Sequence, residues 1–196
     1  MARNARKGFT IVELMIAIVI FSVGIMGVYA LVQSSINASG RARDEAVAAN
    51  LVREQLELAH WLRDANWSSE KAWSGTEAPG VDAGSATSFG SGAWTVENIF
   101  ETGKSIKLTA LPADFSGEVS AVVADRTYTA LSLDAQGRYV HGAGTPTPWH
   151  SYLVAEEVSF PENTPREALR ITSVVVRDGK VPKEWRAATL LTNWKR

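Results

Sequence analysis

The chain has 196 residues, 45% of them hydrophobic, with 20 Lys and Arg against 21 Asp and Glu and a formal net charge of -1. This leaves room for one folded domain and an appendage, and the near-neutral balance removes any electrostatic reason to expect a nucleic-acid partner. The absence of cysteine excludes disulfide staples, so stability has to come from packing and hydrogen bonds.

Residues 1–8 form a short basic stretch carrying Arg3, Arg6 and Lys7. Residues 9–32 (FTIVELMIAIVIFSVGIMGVYALV) are apolar apart from one charge, Glu13. At about 1.5 Å per residue this helix crosses a hydrocarbon core of about 30 Å. Basic residues before the span and none in residues 33–38 predict a cytoplasmic N-terminus and an outward-facing remainder. Gly24 and Gly27 suit close approach of neighbouring helices. No small-residue cleavage site follows the apolar run, which is also too long for a secretory signal. A plain anchor does not account for Glu13, because a carboxylate in mid-bilayer costs about 2.5–3.5 kcal/mol on insertion scales. The simplest structural account of Glu13 is an acid favoured by the dipole at a helix N-terminus.

The run Lys7-Gly8-Phe9-Thr10-Ile11-Val12-Glu13-Leu14, heading an apolar helix, resembles the processing site of type IV prepilins. The resemblance implies that a membrane prepilin peptidase cuts after Gly8, the last leader residue, and methylates the new amino terminus at Phe9. Cleavage creates an ammonium about one helical turn from Glu13, so the buried acid gains a partner only after processing. Spacing alone permits pairing within one chain or with a neighbour; the resemblance implies the neighbour, with Glu13 registering subunits during assembly.

Helical periodicity continues over residues 33–66. Val47, Leu51, Leu58 and Leu62, joined by Val52, Leu56 and Ala59, make one apolar stripe, opposite a charged face that includes an Arg53–Glu57 pair. Gly40 is the expected point of bending. Major pilins often carry a proline in the apolar stretch, and this helix has none. Residues 74–92, rich in Gly, Ser and Ala, read as a long loop. Alternating segments at 93–100, 106–111, 128–133, 139–140, 152–160, 169–177 and 187–194 predict strands. Asp134-Ala135-Gln136-Gly137 and Arg177-Asp178-Gly179-Lys180 predict hairpin turns, and Pro182 predicts a late start for the strand after the second.

A striped helix and a one-sided sheet each need a cover, so the expected fold is α+β: a long N-terminal helix packed on a mostly antiparallel β-sheet head occupying residues 67–196. Residues 48–67 and 189–196 look similar to the minor pilins called PilV-like, and the pilin head has this same architecture. The resemblance implies a minor pilin-like structural subunit of a type IV pilus-type filament. Its partners would be prepilin peptidase, other pilin subunits, the pilus assembly platform and, before assembly, membrane lipid. It would reside first in the cytoplasmic membrane and then at the cell surface. Two alternatives stay open: a pseudopilin of a type II secretion or DNA-uptake system, and an uncleaved membrane-tethered binding or adhesion domain.

No catalytic motif is present, so no enzyme is expected. With three histidines (60, 141, 150) and no cysteine, no zinc site is expected. Pseudopilin relatives that bind calcium in head loops imply Asp125 or Asp134 as ligand candidates, without EF-type spacing. The seven tryptophans lie beyond the apolar block; Trp73 and Trp149, beside loop sequence, are the candidates for exposed partner contacts. Loops 74–92 and 141–149 are the candidate partner-facing surface.

Overall fold

The computed structural model describes residues 10–99, 105–124, 126–158 and 167–193. Helix α1 (Ile11–Ser68) is hydrogen-bonded without interruption through Gly24, Gly27 and Gly40. The chain divides into two compact units, Met1–Ala46 and Val47–Arg196. In the first, α1 is the one element among the described residues, with its large apolar side chains exposed.

The second unit contains the remaining turns of α1, a short helix and, among the described residues, an eight-stranded sheet. Its elements in order are β1 (Val81–Asp82), β2 (Gly92–Asn98), β3 (Ile106–Ala110), α2 (Val119–Ala124), β4 (Ala130–Leu133), β5 (Tyr139–His141), β6 (Thr145–Val158), β7 (Ala168–Arg177) and β8 (Lys183–Thr192). All pairings are antiparallel except β1 with β3. β7 occupies one edge of β6 from Trp149 to Val158. The other edge is shared, by β2 at residues 153–155 and by β4 at 145–150, so the sheet forks there.

The buried stripe of α1 runs through Ala48, Leu51, Val52, Gln55, Ala59, Leu62 and Asn66. Ala59 and Leu62 meet Leu153, Ile171 and Leu191 in one core cluster, while Ala48, Leu51 and Val52 meet Leu131, Trp149 and Val175 in another. A helix across an antiparallel sheet is therefore the observed α+β architecture. On the sheet's opposite face, α2 and Leu111 cover Tyr152, Val174 and Val176. Both predicted hairpins form: β4 and β5 pair across residues 134–138 with a turn at 134–137, whereas β7 and β8 pair from Arg177↔Lys183 across the five residues 178–182, longer than the tight turn predicted at 177–180. The Arg53–Glu57 pair is present at 3.5 Å.

Three expectations change. β6 starts seven residues before the predicted 152, because Pro146 and Pro148 lie beyond the end of the β7 ladder, where a missing N–H interrupts no pairing with β7. The 74–92 loop is tied down: Ala78 and Phe89 are buried, β1 pairs with β3, and Gly75 bridges to Ser88. Glycine-rich composition signalled irregular backbone here and said nothing of the anchor side chains. β8 begins at Lys183, four residues before the predicted 187, because Pro182 falls just outside its ladder with β7; the short helix α2 lies in a stretch for which the sequence patterns predict no element. The predicted strand ends at Phe100, at residues 159–160 and at Trp194 lie outside the described residues.

The unequal settings of two leucines on one helix generate a test. Leu62→Ala, at a 2% exposed site, is expected to destabilise the head by about 2–5 kcal/mol. Leu31→Ala, at a 72% exposed site, should leave head melting unchanged. Thermal unfolding of the full chain in detergent, followed by tryptophan fluorescence, measures both.

Candidate assembly site

Thr10 caps α1. Its Oγ1 accepts the Glu13 backbone N–H at 3.2 Å, and its carbonyl accepts the Leu14 N–H at 3.2 Å. The Thr-x-x-Glu spacing is that of a capping box, so Glu13 sits in the first turn, where the helix dipole favours an acid. Around and beyond it, large apolar side chains from Ile11 to Ile36 are between 49% and 79% exposed. Their polar neighbours turn back on the helix: the Ser22 hydroxyl donates to the Ile18 carbonyl at 2.7 Å, and Gln33 donates to the Tyr29 hydroxyl at 3.3 Å. Neither Gly24 nor Gly27 has an atom within 4 Å of the point a Cβ would occupy. The result is a helix long and apolar enough to cross a membrane, apolar all round, with one acid at its head. Gly8 and Phe9 lie outside the described residues.

Residues 3–29 match the prokaryotic N-terminal methylation motif. The match supports a type IV pilin-like family and a structural subunit of pilin or pseudopilin kind. The motif implies processing by a prepilin peptidase and assembly with other pilin-type subunits, and the apolar helix behind it is consistent with membrane anchoring. Comparison with curated proteins and with solved structures finds no match for the chain.

The head side chains singled out in the sequence take different places. Trp149 is a correction: it is 5% exposed, 5.7 Å from the Trp185 ring and close to Leu131 and Val175. The early start of β6 draws it into the sheet, so it is core and not an exposed contact. Trp73 stays half-buried and donates its indole N–H to the Glu167 carboxylate at 2.8 Å. Asp134 organises its own turn, accepting from the backbone N–H groups of Gln136 and Arg138 and from the Arg138 guanidinium. The Arg138 backbone N–H is the first cause holding its carboxyl below the usual range. Asp125 lies outside the described residues. Among the described residues, no group of three or more His, Asp or Glu is gathered to hold a metal.

Sequence reasoning missed the polar fittings under the helix. Gln55, 4% exposed, accepts from the Ser173 hydroxyl at 2.5 Å. Asn66, fully buried, donates to the carbonyls of Gly75 (2.6 Å) and Trp73 (3.4 Å), fastening the following loop to the helix end. A polar residue on an apolar stripe, such as Gln55 among Leu51, Val52 and Leu62, is the one signal that could have found them. At the fork, a void of about 20 Å³ is lined by Glu54, Gln55, Glu97, His141 and Ser151. Burial raises the Glu54 and Glu97 carboxyls and lowers His141 to about 4. His150, fully buried beside it, shares a hydrogen bond with Thr129 at 3.1 Å.

A histidine held neutral in the fold binds its proton more readily in the unfolded chain. Its contribution is therefore complete above the unfolded value of about 6.5 and is lost as pH falls toward 4. Glu97, raised by burial, runs the other way, favouring the fold on its acid side. Between pH 6.5 and 4 the histidine's loss amounts to something on the order of 3 kcal/mol. Melting temperature measured against pH should fall over this window in the parent and fall less in His141→Gln.

Proposed function

We propose that the chain is a minor pilin-like subunit, made as a membrane precursor, cut after Gly8, methylated at Phe9 and built into a type IV pilus-type filament through α1. The match of residues 3–29 to the methylation motif carries this reading. An apolar helix with a single acid in its first turn supports it, because such a surface is satisfied in lipid before assembly and against neighbouring helices afterwards. In the hydrocarbon region Glu13 requires a positive partner, and the amine released at Phe9 is the group the motif supplies. Pairing with the Phe9 amine of a neighbour would set the axial register between subunits. Trp73, half-buried against the core with its N–H on Glu167, has only its remaining exposed face to offer a partner at the head.

Two measurements test the reading. The mass of the mature N-terminus should correspond to methyl-Phe9; a chain retaining residues 1–8 would leave only a tethered domain. Glu13→Val should insert into the membrane at the parental level and enter filaments on the order of tenfold less or worse, since removing one member of a buried ion pair costs about 3–5 kcal/mol. Normal filaments carrying normal amounts of Glu13→Val would overturn the registration role.

A further inference from the structure

The head carries an apolar groove that none of the described residues fills. It lies on the face away from α1, between β2, β6 and the segment leading to α2, with a volume of about 440 Å³. Ala93, Pro112, Phe115, Tyr152 and Val154 line it. Tyr152 donates its hydroxyl to the Gly117 carbonyl at 2.9 Å and packs edge-on against Phe115 at 5.0 Å, so the walls are fixed. Acids border it: exposed Asp114 and Glu118 adjoin the lining residues Ala113, Phe115 and Gly117, and exposed Glu156 follows Val154 on the same face of β6. Glu156 is paired with Arg170 of β7 at 3.9 Å, both side chains well exposed, so Asp114 and Glu118 are the acids with no ion pair among the described residues. The 159–166 connection is neutral, with Glu162 against Arg166, so the rim's sign does not depend on it.

The β7–β8 hairpin tip is the complement. Val181 is 78% exposed, the most exposed large apolar residue among the described residues of the second unit, and exposed Lys180 and Lys183 stand on either side of it. The neighbouring acids are already engaged, Asp178 by Arg126 (2.8 Å) and Glu184 by Arg186 (2.6 Å). Neither lysine has an ion-pair partner among the described residues. The tip cannot reach its own groove. Val154 lies five residues along β6 from the Trp149↔Arg177 pair that leads to the hairpin, roughly 17 Å away at about 3.3 Å per residue.

We infer that the groove receives the hairpin tip of a second copy of this chain, with Val181 entering the apolar floor and Lys180 and Lys183 meeting the acidic rim. The contact joins two different patches, so it is head-to-tail and extends without closing. That geometry suits a filament and deepens the function proposed above, although the docking itself needs only two heads. Charge opposition at the rim gives it register and salt dependence, and the valine supplies desolvated area at its centre.

The lack of cysteine makes crosslinking a clean test. Two full-length chains, one with Val181→Cys and the other with Ala113→Cys, are co-expressed, allowed to process and assemble, and mildly oxidised. Both sites are exposed, so folding is preserved. A disulfide-linked dimer is expected only when the two variants are mixed, and a ladder when both cysteines are on one chain. Lys180→Glu with Lys183→Glu should cut the yield about fivefold or more, and Asp114→Lys with Glu118→Lys should restore it. Processed and assembled chains that give no mixed dimer, or give one indifferent to charge reversal, overturn the docking and leave the filament reading intact. Unprocessed chains that still form the mixed dimer do the reverse.

Discussion

The constraint on which the rest depends is the apolar surface of the first half of α1. Sixteen large hydrophobic side chains from Ile11 to Ile36 are more than half exposed. At about 1.5–3 kcal/mol for each one moved fully out of water, the driving force toward cover is on the order of 25 kcal/mol even at the low end. That exceeds the 5–15 kcal/mol or so that holds a typical domain folded, so this segment cannot persist in water. A single acid placed at the head of such a helix acquires its meaning from the same constraint. In water Glu13 would be one more solvated side chain; against lipid or packed helices it has to be matched.

The second half of α1 meets the opposite condition. Its stripe is covered by the sheet, and charged residues such as Arg53 and Glu57 lie outward. One continuous helix thus serves two solvents, and the compact division falls between Ala46 and Val47. The change is visible in composition: the apolar run stops near Val32, charges begin at Arg41, and the stripe is established by Ala48.

What was legible follows from what periodicity can carry. The apolar block with its single acid Glu13, the stripe through Leu51 and Leu62, and the hairpin signalled by Asp178-Gly179 before β8 are local patterns, and each element appears where the sequence places it, the hairpin with a longer loop. The fork in the sheet was not legible. That β2 and β4 share one edge of β6 is a matter of long-range register, which alternation does not encode. Trp149 was misplaced for a related reason: two prolines made its neighbourhood look like loop, whereas the strand simply begins beyond its partner's ladder. Gln55, Asn66 and His150 are buried polar residues whose partners lie far away in sequence or in a loop read as irregular. Their role emerges only when those partners are brought beside them. The methylation motif lies at the other extreme, since its chemistry is read by a processing enzyme from contiguous residues, and it needed no tertiary structure to be seen.

Among the described residues, strand β8 is hydrogen-bonded on one side only, to β7. Its first residues, Lys183, Glu184 and Arg186, carry charges that discourage another strand from adding to the open ladder. From Ala187 to Leu191 the run Ala-Ala-Thr-Leu-Leu carries none. Wherever heads are crowded before they are spaced apart in an ordered array, that uncharged half is where they would zip together out of register. Overproduced protein should therefore clump through this margin first, and a lysine placed there would act as a gatekeeper without disturbing the core.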